Sequence, residues 1–102
     1  MRNFKKLLIW QKGLQIAVKS IKLVSDFPKE EKYGLSSQIT SAAVSISSNI
    51  AEGSSRTSTK DYNRFLEISL GSSFELETRL LISKVVNFGE KEKRDYLLKD
   101  ID

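Results

Sequence analysis

The chain has 102 residues with no cysteine and no histidine, which excludes disulfide frameworks, thiolate or imidazole metal sites and serine–histidine catalysis. Seventeen Lys/Arg against thirteen Asp/Glu give a net charge of +4, and residues 1–32 hold eight of the bases against three acids. Only four apolar residues, Leu7 to Trp10, follow the basic start. That is too short for a secretory leader, so the expectation is a cytoplasmic protein with no membrane span.

Three breaks divide the sequence. They are the single proline, Pro28, the stretch Gly53-Ser54-Ser55-Arg56-Thr57-Ser58, and Gly89. They predict helical segments over about 5–26, 30–53, 59–88 and 90–102, with no strand-like alternation. Gly53 reads as a C-terminal cap, and Ser58 with Asp61 as a capping box with a shorter acid. The expected architecture is one domain spanning 1–102, an all-α, up-and-down antiparallel four-helix bundle with a short fourth helix.

The first segment carries a stripe, Leu7, Trp10, Leu14, Ala17, Ile21 and Val24, whose three- and four-residue spacing puts it on one helix face. This stripe is expected to face the core. A second line, Ile9, Ile16 and Leu23, recurs every seven residues on another face and is expected to meet a second copy of the chain. Arg2, Lys5, Lys6, Lys12, Lys19 and Lys22 form a basic row. It is the candidate surface for RNA or DNA, binding through the backbone and sensitive to salt.

The second segment contains eighteen uncharged residues in succession, Gly34 to Ala51. Its apolar stripe is Leu35, Ile39, Ala42/Ala43, Ile46, Ile50 and Gly53. A small polar line, Gln38, Ser41, Ser45, Asn49, Glu52 and Arg56, runs beside it. Serine can return its hydroxyl to a preceding carbonyl, so these residues suit a closely packed helix. The third segment answers with Ser69, Gly71, Ser72 and Ser73. Glycine costs about 1 kcal/mol in a helix interior, so a close contact is expected at Gly71. This segment also has two stripes, Tyr62/Phe65/Leu66/Ser69/Ser73/Leu76/Leu80 and Leu70/Phe74/Leu81/Val85/Phe88, which predicts burial on two sides.

For chemistry, Asn49, Glu52, Arg56, Ser72 and Glu75 form the nearest thing to a constellation. Glu52 lies at a helix C-terminus, where a carboxylate opposes the dipole, and so calls for a donor. That donor is Arg56, Ser72 or a loop amide. Glu75 and Arg79 have the spacing of a helix ion pair. The group reads as a structural polar clasp. No catalytic, cofactor or metal residues are assigned, and no cofactor, small-molecule substrate or membrane partner is expected. The chain is read as a non-enzyme.

Several stretches resemble a bacterial family, the proteins encoded in intervening sequences of 23S rRNA genes. They are Leu8-Ile9-Trp10-Gln11-Lys12, Phe27-Pro28, Tyr33-Gly34-Leu35, Gln38-Ile39, Ala42-Ala43-Val44-Ser45-Ile46, Asn49-Ile50-Ala51-Glu52-Gly53, Phe65-Leu66-Glu67-Ile68, Gly71-Ser72 and Glu75-Leu76-Glu77-Thr78. The resemblance implies a four-helix bundle assembled as a ring-shaped homopentamer, as in members that include accessory proteins of diversity-generating retroelements. It implies no enzymatic activity. For the retroelement branch it implies binding of nucleic acid or reverse transcriptase. Thr40-Ser41 stands where the family often has arginines, and Ser47 where it often has proline.

Overall fold

The computed structural model describes residues 3–101. Four α-helices carry the fold: α1 (Leu8–Val24), α2 (Leu35–Ser54), α3 (Thr59–Val85) and α4 (Lys91–Ile101). Short 3-10 turns at Phe4–Lys6 and Lys29–Glu31 precede α1 and α2. No strand occurs among the described residues. The chain forms a four-helix bundle measuring 43 × 21 × 19 Å, its long axis set by the 27-residue α3 at about 1.5 Å per residue.

The helix ends follow local chemistry. Ser25 Oγ donates to the Lys22 carbonyl at 2.6 Å where α1 finishes, and Pro28 prevents continuation. Gly34 brings no capping side chain to α2, and Glu31 Oε2 accepts from Leu35 N at 3.1 Å instead. A side chain on Gly34 would meet that carboxylate at 2.8 Å. Ser58 Oγ accepts from Asp61 N at 3.1 Å, so the expected cap of α3 is formed. Gly53 is not a cap. It lies inside α2, and its missing Cβ admits Phe65, to which a methyl would approach within 2.7 Å. At the end of α3 the Phe88 amide donates to Ser83 O and the Asn87 amide to Lys84 O. Asn87 takes φ 58°, which completes a Schellman motif. Gly89, at φ 82°, then turns the chain into α4.

α2 is the central helix, packed antiparallel against α1 on one side and α3 on the other, while α4 bridges α1 and α3. Leu23, Ile39, Leu76, Leu80 and Leu97 are fully enclosed, each contributing roughly 1.5–3 kcal/mol. Small residues set the closest approaches. Gly13 sits against Ile46 and Ser47, where an added Cβ would lie 3.3 Å from each. Ser69 Oγ on α3 donates to the Ile46 carbonyl of α2 at 2.8 Å. The serine-rich faces of α2 and α3 therefore meet through Ser69 and Ser72, whereas Gly71 faces outward and lacks the close contact expected of it, since an added Cβ would find nothing within 4 Å. Phe27 and Phe88, with centroids 5.7 Å apart, close the end of the bundle where the two loops converge.

The buried face of α1 takes members of both apolar lines: Ala17 of the stripe expected inside is buried, and Leu7, Trp10 and Val24 pack against the core as expected. Ile16 and Leu23 are core residues, 8% and 0% exposed, and only Ile9 of that line reaches solvent, at 48%. Leu14 and Ile21, from the stripe expected inside, are 44% and 49% exposed. The cause is the set of small residues Gly13, Ala17 and Ser20. They lie on the Ile16/Leu23 side and let α2 approach closely there.

Candidate functional site

The five residues of the expected clasp fall into separate groups. In the first, Asn49 Nδ2 donates to both the carbonyl and the hydroxyl of Ser45 at 2.8 Å, and Ser45 Oγ shares a hydrogen bond with Ser72 Oγ at 2.8 Å. Ser45 belongs to the polar line of α2 and is the hub that the sequence did not single out. In the second, Arg56 Nη2 donates to Glu52 Oε1 at 3.3 Å, and the Arg56 guanidinium lies 4.8 Å from the centre of the Phe65 ring. Arg56 is thus the donor that Glu52 calls for, whereas Ser72 is engaged elsewhere. In the third, Glu75 pairs with Arg79 at 3.2 Å, and Arg79 Nη1 donates to the Gln38 carbonyl of α2 at 3.0 Å. The Glu52 and Arg56 side chains remain 57% and 42% exposed, so their pair contributes at most about 0.5 kcal/mol. The network holds serine to serine and amide to serine, with no carboxylate in position to activate a hydroxyl among the described contacts.

The basic row is similarly divided. Lys5 and Lys6 project from the first 3-10 turn, and Lys12 and Lys22 are exposed on α1. Arg2 lies outside the described residues. Lys19 is engaged by α4, forming an ion pair with Asp100 and lying 4.6 Å from the centre of the Tyr96 ring. Lys22 shares a surface cleft with Glu90, Glu92, Lys93 and Tyr96. The fourth helix therefore lays acids and bases together along the side of α1 that reads as purely basic in sequence. Lys93 also reaches Asp26 at 3.2 Å. The hydrogen bond and charge of Asp26 hold its ammonium above the ordinary value of 10.5.

The largest unsatisfied features are apolar. On α3, Leu70, Phe74, Leu81 and Val85 are 56%, 61%, 45% and 86% exposed. They face away from the buried line Ser69, Ser72, Leu76, Leu80 and Ser83. The second stripe of α3 is therefore not buried within the subunit, apart from the partly covered Phe88. Between α1 and α2 lies a groove of about 880 Å³, floored by Ile21, Val24, Phe27 and Val44 and edged by Ser37 and Ser41. No residue of α3 or α4 lines it. Leu14 and Val18 extend its apolar wall along α1. Monomeric proteins seldom leave contiguous apolar surface of several hundred Å² in water unless it meets a partner.

The architecture and its surfaces define a class: an all-helical bundle whose prominent features are packing faces. No helix among the described residues is long and apolar enough to cross a membrane. Residues 5–102 match the family model described as 23S rRNA-intervening sequence protein, and the chain belongs to that family. A crystal structure of a protein of unknown function from the S23 ribosomal protein family of Bacteroides thetaiotaomicron superposes with a TM-score of 0.80 at 24% identity, covering 92% of this chain and 88% of that one. This likeness shows the fold. No curated protein matches the chain.

Proposed function

We propose that this protein is a non-catalytic, self-associating helical bundle that acts in the cytoplasm as a homo-oligomeric scaffold. The observation that carries the reading is the pair of apolar faces, the α3 line Leu70/Phe74/Leu81/Val85 and the α1–α2 groove, which the subunit leaves uncovered. A polar network built only to hold helices together accords with it. Five copies is the number that the family resemblance carries. Light scattering at micromolar concentration tests the reading: an assembly of several subunits is the expected result, and a clean monomer overturns it.

A second reading, a module that binds nucleic acid or a reverse transcriptase through the basic side of α1, draws on the exposed Lys5, Lys6, Lys12 and Lys22. Backbone-directed binding would weaken steeply with salt. The absence of any mobility shift with single- or double-stranded nucleic acid at low salt removes the nucleic-acid form of this reading.

A further inference from the structure

The geometry points to one interface made of two unlike halves, in which the α3 ridge of one copy seats in the α1–α2 groove of the next. This inference rests on the self-association reading and names the surfaces that would carry it.

Four observations converge. The first is shape. The α3 line is bulky, led by Phe74 at 61% exposed, with Leu81 and Val85 beside a hollow of about 330 Å³, while the α1–α2 groove is the larger concavity, at about 880 Å³, with Ser37 and Ser41 in its lining. Phe74 against Phe74 would oppose large side chains, and groove against groove would leave a void, so ridge to groove is the better fit. Interiors and interfaces of high packing density need large against small.

The second is Gly71. It stands mid-helix beside Leu70, and an added Cβ would find nothing within 4 Å. The subunit therefore gives no steric reason for a residue that weakens α3 by about 1 kcal/mol. A helix from outside, crossing close to the backbone at this point, supplies one.

The third is the outer side of α2. Ser37, Ser41, Val44 and Ser48 are exposed, yet the helix has no charge before Glu52. Solvent-facing helix surfaces are normally rich in lysine and glutamate. A face of small uncharged residues is instead what a seated helix requires.

The fourth is charge at the margins. Glu67, Glu77 and Lys84 flank the ridge, leaving its margin net negative, whereas Lys29 and Lys32 border the groove. The net charges of the two margins are opposite, which favours ridge to groove over either self-pairing. Because the halves differ, the contact is heterologous: each copy offers one half to each of two neighbours, and assembly proceeds head to tail.

The test is a mixing experiment. Phe74→Glu disables the ridge and Val44→Glu the groove, both at exposed positions, with Leu70→Lys and Ser41→Arg as second versions should either fail to fold. Circular dichroism and thermal melting establish that each variant keeps the bundle. Each alone is expected to be monomeric, with association at least tenfold weaker than that of the parent chain. Mixed in equal amounts, one ridge-disabled and one groove-disabled chain should form a one-to-one dimer, since each retains the half that the other lacks. A folded variant that keeps the parent mass, or a mixture that stays monomeric while the parent chain assembles, overturns the pairing and leaves self-association standing. A monomeric parent chain overturns both.

Discussion

Gly71 and Gly89 respond in opposite ways to the same added methyl group. At Gly71 the surroundings are open, so Gly71→Ala should stabilise the isolated subunit by about 0.5–1 kcal/mol, read as a melting temperature raised by a few degrees in the Phe74→Glu background. At Gly89 the backbone sits at φ 82°, and a Cβ would lie 2.7 Å from Phe27 and 2.9 Å from Leu23. Gly89→Ala should therefore cost about 1–3 kcal/mol in a denaturant melt. Glu52→Gln gives the contrasting small effect, at most about 0.5 kcal/mol, because its ion pair is exposed. None of these differences is legible in sequence. Gly53, Gly71 and Gly89 share one letter, and what separates them is the neighbour that each meets: Phe65, nothing, and Phe27.

Among the elements, α1 shows how far periodicity reaches. The heptad spacing identifies a helix with two apolar lines, but spacing alone does not show that the buried face takes members of both. The deciding signal is the small residues beside Ile16, since Gly13, Ala17 and Ser20 mark the side where another backbone approaches. Ile16→Glu should accordingly unfold the subunit, losing more than about 3 kcal/mol for a carboxylate forced into the core. Leu14→Glu should leave the melt within about 1 kcal/mol of the parent and loosen assembly instead. Comparing melting with sedimentation for the two variants checks that Ile16 lies inside and Leu14 outside. At α4, Leu97 is wholly buried and Lys93 ties the helix to Asp26 across the bundle. The Lys93 pKa is raised in the fold, so its stabilisation is complete below the ordinary lysine value and disappears as pH climbs through the raised one. The difference in melting temperature between the parent and Lys93→Met should thus shrink only in strongly alkaline solution.

At the scale of the molecule, the bundle was readable because its breaks are chemically plain. Pro28 stops α1, Ser58 caps α3, and four apolar-periodic segments have few alternatives to packing together. The surfaces were only half readable. The second stripe of α3 marks an apolar face that the subunit leaves open, yet the groove proposed to receive it arises from two helices and a loop brought together by folding. The clasp behaved likewise: spacing found Glu52 with Arg56 and Glu75 with Arg79, while the Ser45–Ser72 bond joins residues twenty-seven apart and depends on the register between helices.

The uncharged outer side of α2 also bears on control. A seam between copies floored by isoleucine, valine and phenylalanine and edged by serine would offer no proton to gain or lose near neutral pH. With no cysteine or histidine in the chain, neither oxidation of a thiol nor mild acidification can act on it. Association would then be set by protein concentration and, through the charged margins, by salt.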